Sequence, residues 1–227
     1  MHLGLIMDGN RRWAQREGLS RREGHQRGYA QALTMLDACL HRGVEYVSLF
    51  LLAKRNIEGR SPEELRDLYA LLVEDFAPRL AAYAAEHGLA VRLAGNLALL
   101  PPEVREVFVS LAGHATGDPA PAPAVLLCLG YGGQDEIVRG VQAFCRSGQD
   151  AAQLSEQTFA RFLDSSPLPP PDLIIRTGGH QRSSGFLLYG AEYAEYHFSA
   201  KLWPEFGKAD LDQALLAYSS AQRNFGK

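Results

Sequence analysis

The sequence predicts an α/β domain built on a central, mostly parallel sheet covered by helices. Three observations carry this. Short apolar runs alternate with longer segments of helical period along most of the 227 residues. Two of those runs, residues 46–52 and 125–129, are apolar throughout, as strands buried on both faces must be. Several runs end directly in glycine-rich or charged loops, which in such folds puts the chemistry at the carboxyl ends of the strands.

In order, residues 3–7 read as a short buried strand ending at Asp8-Gly9-Asn10, with a helical stretch behind it. Residues 28–42 read as a helix closed by Gly43. The second strand, 46–52, leads into a polar loop over 53–61. Ser61 as N-cap and Pro62 at the first helical position start a helix expected to run to His87 and stop at Gly88. A strand over 90–94, a helix over 102–114 and a Pro/Ala/Gly loop over 116–123 follow. The strand at 125–129 ends at Gly130-Tyr131-Gly132-Gly133, and helices are expected over 135–145 and 155–163. A stiff proline linker, 167–171, precedes a strand at 173–175, and residues 210–222 read as a final helix. There is no internal repeat or low-complexity tail, so one domain over 1–227 is expected.

The net charge of −3 argues against a general polyanion-binding surface. Yet Arg11, Arg12, Arg16, Arg21, Arg22 and Arg27 crowd one segment, which points to a local anion site. Cys39, Cys128 and Cys145 have no ligand spacing; Cys39 and Cys128 lie in apolar runs and read as core thiols. This pattern suits a reducing, cytoplasmic compartment without a disulfide frame or structural zinc. No run reaches transmembrane length, so any membrane contact is expected to be peripheral. The arginine segment lacks the aromatic interleaving of RNA-binding surfaces, and no nucleic-acid partner is expected.

The segment Asp8-Gly9-Asn10-Arg11-Arg12-Trp13 follows a buried strand and opens a helix. A glycine turn lets backbone approach a ligand, and the N–H groups of a helix start attract phosphate. Arg12, Arg21 and His25 can add charge-assisted hydrogen bonds, and a carboxylate at Asp8 among cations and phosphate suggests a magnesium bridge. A plain strand-to-helix turn with a solvated arginine face fits the same residues.

Longer motifs separate these readings. Met7-Asp8-Gly9-Asn10-Arg11-Arg12-Trp13-Ala14 with Arg21 and Gly24-His25 resembles the first signature of the cis-prenyltransferases (the undecaprenyl diphosphate synthase-like family). Gly130-Tyr131-Gly132-Gly133 with Asp135-Glu136-Ile137-Val138 resembles a second. Asp172-Leu173-Ile174-Ile175-Arg176-Thr177-Gly178-Gly179, Gln181-Arg182, Phe186-Leu187-Leu188, Tyr193-Ala194-Glu195 and Leu202-Trp203-Pro204 resemble the rest, in order, over nearly the whole chain. The resemblance implies a transferase of prenyl groups that uses Mg2+, acts on allylic and homoallylic isoprenoid diphosphates, and forms a homodimer around a hydrophobic substrate tunnel. It implies that Asp8 shares magnesium with the donor diphosphate, with Gly9, Asn10, Arg11, Arg12, Trp13, Arg21 and His25 around it. Arg176, Arg182 and Ser184 would hold the second diphosphate, Asn56 in the loop over the site would be catalytic beside Asp8, Arg60 would bind substrate, and Glu195 would be a second acidic metal contact. Phe50, Leu51 and the apolar residues of the helix over 62–87 would line the tunnel, or simply pack the core.

The departures from the family pattern fall on one side. Long-chain relatives carry a Ser-x-Glu-Asn-Trp loop; here the segment is Ala53-Lys54-Arg55-Asn56-Ile57-Glu58-Gly59-Arg60, and only Asn56 and Arg60 keep the pattern. Arg55 and His180 replace acidic residues, Gly185 and Tyr189 replace Asn and Trp, and Asn224 stands where Arg is usual. The donor motif is intact and the acceptor side is rewritten. The expectation is therefore a short product from irregular, lavandulyl-type coupling of two dimethylallyl diphosphates, open to later cyclisation, with His180 as a proton-transfer candidate. The alternative is ordinary head-to-tail elongation with isopentenyl diphosphate. A non-catalytic partner subunit is disfavoured by the retained Asp8.

Overall fold

The computed structural model describes residues 1–113 and 120–221; His114, residues 116–119 of the expected loop, Gln222 and Asn224 lie outside them. Six strands form one sheet in the order β3-β4-β2-β1-β5-β6, and every pairing is parallel. The strands are β1 (His2–Ile6), β2 (Tyr46–Ala53), β3 (Ala90–Ala94), β4 (Ala124–Tyr131), β5 (Leu173–Arg176) and β6 (Glu195–Phe198). The helices are α1 (Asn10–Arg16), α2 (Arg21–Leu40), α3 (Lys54–Gly59), α4 (Pro62–Leu71), α5 (Ala77–His87), α6 (Pro102–Ala112), α7 (Gly133–Arg146), α8 (Glu156–Ala160) and α9 (Lys208–Ser220).

All eight residues of β4 are buried, as its uninterrupted apolar run requires. The two-residue period splits the strand between two cores: Val125, Leu127 and Leu129 face the larger one, and Ala124, Leu126 and Cys128 the smaller. The larger core packs the sheet against α2, α4, α5 and α6 through Leu36, Leu72, Phe76, Leu80 and Phe108, all 0% exposed. Each such side chain contributes about 2 kcal/mol by leaving water.

Several boundaries differ from the sequence reading. The helix expected at 28–42 begins at Arg21, because Ser20 and Glu23 form a reciprocal capping box. The polar loop over 53–61 contains α3, a six-residue helix with no buried residue, so no apolar stripe announces it. The long helix at 62–87 is broken into α4 and α5 by a π-helical turn, Leu72–Phe76, just before Pro78. The helix expected over 155–163 is only Glu156–Ala160. Strand β6 is an edge strand, half buried in alternation, and its polar Glu195 and His197 hid it.

The strand order reverses at β1. From β1 the chain moves to β2 on one side; β5 lies on the other. Ligands of open α/β sheets bind beyond the carboxyl ends of the strands at such a switch point.

Candidate active site

The switch point brings the end of β1 to the end of β5. Ile6 pairs with Arg176 in register, so Asp8, just beyond β1, meets the Arg176 guanidinium. Arg176 Nη2 donates to Asp8 Oδ2 at 2.9 Å, and Arg12 Nη2 donates to Asp8 Oδ1 at 3.1 Å. One carboxylate thus joins an arginine from the first motif to one from the last. Its backbone is held as well: Thr177 Oγ1 and the Trp203 N–H both donate to the Asp8 carbonyl, at 2.7 and 3.0 Å. Arg12 Nη1 donates to the Gly178 carbonyl at 2.8 Å. Gly178 has a φ of +84°, and a Cβ there would lie 2.5 Å from Arg12 Nη2, so this approach needs glycine.

Arg176 is nearly buried, and its Nη1 donates to the Arg182 carbonyl at 2.6 Å and to Ser184 Oγ at 2.7 Å. Ser184 takes a left-handed φ of +53°, which turns its hydroxyl into this contact at a cost of about 1 kcal/mol or more. Arg176 Nε is buried with no protein partner.

On the other wall, Arg11, Arg12 and Gln15 of α1 line one cleft with Ser20, Arg21 and His25 at the start of α2. Asn10 Oδ1 is buried without a partner, seated over Gly28, where any side chain would collide with it. His25 Nε2 is also buried and unpartnered. Burial first, then the positive charges of Arg60 and Arg11, pull the His25 pKa down to about 3, so its ring is neutral near pH 7. Burial likewise lowers the pKa of Arg60.

The sequence reading took Glu64 only as part of a helix start. In the structure its carboxylate, 12% exposed, faces Arg11 Nη1 at 3.5 Å, Arg21 Nη1 at 3.7 Å and Arg60 Nε at 3.6 Å. Ser61 caps α4 by accepting from the Glu64 N–H, which orients the first turn toward the arginines. Spacing along the chain signals only the Arg60 pair, four residues away; Arg11 and Arg21 lie more than forty residues from Glu64.

The cleft has a volume of about 850 Å³, and Asp8, Gly9, Asn10, Arg11, Arg12, Arg21, His25, Leu51, Asn56, Arg60, Arg176 and Ser184 all line it. Its apolar lining comprises Ile6, Met7, Leu19, Tyr29, Phe50, Leu51, Ala53, Leu68 and Trp203. Of the helix positions expected to line a tunnel, only Leu68 does so; Leu71, Leu72, Phe76 and Leu80 are core residues. Phe76, itself outside the lining, packs on Tyr29 with ring centroids 5.5 Å apart.

Four expected contributors stand outside the cleft lining. Trp13 is half buried on a different face of α1 from Arg11, Arg12 and Gln15, as helical period demands. His180 follows two left-handed glycines, Gly178 and Gly179, and is not among the residues that line the cleft. Arg182 serves through its carbonyl, while its side chain is exposed. Glu195 pairs in register with Leu173, at the amino end of β5, three residues from Arg176 and so about 10 Å further down the strand. Within one chain it cannot share an ion with Asp8.

Among the described residues, no group of three or more His, Cys, Asp or Glu side chains is arranged to hold a metal. Asp8 is the sole carboxylate among the described cleft-lining residues. Magnesium commonly takes one or two carboxylates and completes its shell with substrate phosphates and water. Asp8, beside the arginines, fits an ion brought in with a diphosphate.

The family profile described as "Putative undecaprenyl diphosphate synthase" matches residues 6–226. An isoprenyl transferase of Thermus thermophilus is 38% identical over 100% of this chain and 88% of its own length. A tritrans,polycis-undecaprenyl-diphosphate synthase (geranylgeranyl-diphosphate specific) of Thermoplasma acidophilum is 34% identical over the same shares. Among solved structures, lavandulyl diphosphate synthase from Lavandula x intermedia, in complex with dimethylallyl diphosphate, superposes with a TM-score of 0.91 at 28% identity. That match covers 100% of this chain and 98% of the other. A probable undecaprenyl diphosphate synthase from Campylobacter jejuni gives 0.81 at 26% identity, with the same coverage. A match this long, together with arginines from the first and last motifs converging on one strand-end carboxylate, makes this chain a member of the cis-prenyltransferase family.

Proposed function

We propose that the protein elongates a small allylic diphosphate head-to-tail with a homoallylic diphosphate, in cis geometry, and stops at a short product. The observation that carries this is Asp8 held between Arg12 and Arg176. Two cationic pockets meet at one carboxylate, which is what two diphosphates and a divalent ion between them require. When bound, magnesium would offset charge on the leaving diphosphate; the rest falls to the protein. Arg12, Arg21 and the helix start at Asn10 hold the donor diphosphate as its C–O bond breaks. Arg176 and Ser184 orient the acceptor so that its alkene attacks the cation and forms the new C–C bond, and the resulting cation gives up a proton to the released diphosphate. Neutral His25 and the buried Asn10 oxygen offer unspent hydrogen-bonding capacity on the donor side. The bulk of Leu51, Leu68 and Tyr29 in the cleft lining supports an early stop.

The relatives named as isoprenyl transferases and undecaprenyl diphosphate synthases favour elongation over the irregular coupling expected from the acceptor-side substitutions. Irregular coupling keeps one specific support, the superposition on lavandulyl diphosphate synthase. It loses another, because His180 does not line the cleft. Incubation with dimethylallyl diphosphate and magnesium, with and without isopentenyl diphosphate, separates them by mass and NMR. Elongation gives linear cis products only when isopentenyl diphosphate is present. A branched or cyclic ten-carbon diphosphate from dimethylallyl diphosphate alone would establish the other reading.

We also infer a homodimer through the β6 edge. This strand leaves Tyr196 and Phe198 each 36% exposed, stacked with centroids 5.7 Å apart. An unpaired parallel edge bearing aromatic rings is a surface that normally finds cover. Among the described residues no helix is long and apolar enough to cross a membrane.

A further inference from the structure

The wall that carries Asn56 poses a physical problem. Helix α3 has six residues, none buried, and a helix that short is not stable by itself. Packing supplies little: Ile57 is its half-buried apolar anchor. What else holds it is charge. Lys54 Nζ donates to Asp135 Oδ1 at 2.6 Å, across the turn between β4 and α7. Asp135 Oδ2 accepts from Arg139 Nε at 2.8 Å. Arg139 then grips Asp164 with both terminal nitrogens, at 3.0 and 2.6 Å, and Asp164 Oδ2 accepts the Gly95 N–H at 2.9 Å beyond the end of β3. Two cations and two carboxylates alternate along this line, so no charge in it is left uncompensated. Asp135 is mostly shielded, its side chain 14% exposed, while Lys54 is 32% exposed. Burial works against the Asp135 carboxylate, but its hydrogen bonds to Lys54 and Arg139 prevail and hold its pKa below the usual range.

We propose that Lys54, Asp135, Arg139 and Asp164 form a latch that fixes α3, and with it Asn56, as the acceptor-side wall of the cleft. Neither Lys54 nor Asp135 lines the cavity, so both are positioning residues. The latch ties α3 to β3 and α7, which carry no donor-side residue; its loss therefore loosens one half of the site. The catalytic part of this inference rests on the proposed prenyl transfer, whereas the anchoring part does not.

Hydrogen–deuterium exchange on the full-length protein tests the anchoring directly. Lys54→Met leaves Asp135 paired with Arg139, so the fold survives. Exchange across residues 54–60 should quicken by about tenfold in Lys54→Met and in Asp135→Asn, and no further in the double variant, because both changes open the same local unit. Lys54→Arg should restore protection. Peptides of α1 should be unchanged. Unaltered exchange at 54–60, or an equal rise in α1, would overturn the latch. In turnover assays of the same variants the KM for the homoallylic substrate should rise about tenfold while that for the allylic donor holds. Equal changes in both would overturn the acceptor-side assignment. A wild type that forms no prenyl product sinks the proposed reaction yet leaves the exchange result standing.

Discussion

The two walls of the cleft are built in opposite ways. The donor wall is nearly continuous in sequence, from Asp8 through α1 to His25, and it is anchored by packing: Ala14, Gly24 and Gly28 are buried where the two helices meet. The acceptor wall is gathered from the end of β2, from α3, from the end of β5 and from the turn at Ser184. It is held by ion pairs and by hydrogen bonds to Arg176. Packing tolerates few substitutions, since a methylene added or removed is felt. Side chains on an exposed helix can change at little cost to the fold. The contrast agrees with the departures read from the sequence, where the donor motif keeps the family pattern while Ala53, Arg55, Ile57 and Gly59 differ from it.

The change that breaks both walls at once is at the carboxylate between them. Asp8→Ala should leave the fold intact and cut turnover on the order of thousands-fold, equivalent to several kcal/mol of transition-state stabilisation. Steady-state rates in magnesium, beside an unchanged circular dichroism spectrum, check this. A folded variant with near-normal rate would falsify the role of Asp8.

Glu64 is where the donor wall borrows a charge from α4. Glu64→Gln leaves Arg11, Arg21 and the half-buried Arg60 facing one another without an anion. Stability should fall by about 2 kcal/mol, read as a lower denaturation midpoint. Inorganic pyrophosphate should recover most of it, by supplying the missing anion. No recovery would mean that these arginines do not form an anion site.

Acidification should strain two places unequally. Burial lowers the pKa of His25 to about 3 on the donor wall and that of His2 to about 4 at the far end of the sheet. Both folded values lie below the unfolded value near 6.5, so the unfolded chain takes up protons first. Stability is therefore full above about pH 6.5 and is lost as pH falls toward the folded values, by about 2 kcal/mol per histidine at pH 5. His2 accepts the Ser48 hydroxyl at Nε2 (2.8 Å) while Nδ1 faces the Pro169 carbonyl (2.5 Å), so the neutral ring is satisfied there. His25 Nε2 has no such partner, and His25→Gln should flatten its share of the pH dependence in urea titrations. An unchanged slope refutes the buried-neutral assignment.

The smallest expected effect is on product length. Leu51→Ala removes bulk from the apolar lining of the cleft and should give longer chains by mass spectrometry, with a stability loss of about 2 kcal/mol from the partly filled cavity. Long polyprenyl products from the unaltered enzyme would show that Leu51 sets no limit.

The local signals in the sequence were sufficient for the parallel sheet, apart from its edge strand β6, and for the donor wall. Continuous apolar runs demand strands buried on both faces, and Asp8, Arg12, Arg21 and His25 sit close enough along the chain for one strand, one turn and two helix starts to gather them. The tertiary structure alone decided which distant charges meet. Glu64 reaches Arg11 and Arg21, and Lys54 reaches Asp135, across separations in the chain that leave no period or spacing to read. It also decided which motif residues miss the cleft. Trp13 is rotated away by the helical period, His180 follows two left-handed glycines and is not among the lining residues, and Glu195 is carried to the wrong end of β6 by strand register. A motif specifies residues along the chain, whereas a site depends on where side chains point, and that direction is set by helix rotation, strand register and backbone dihedrals once the core has packed.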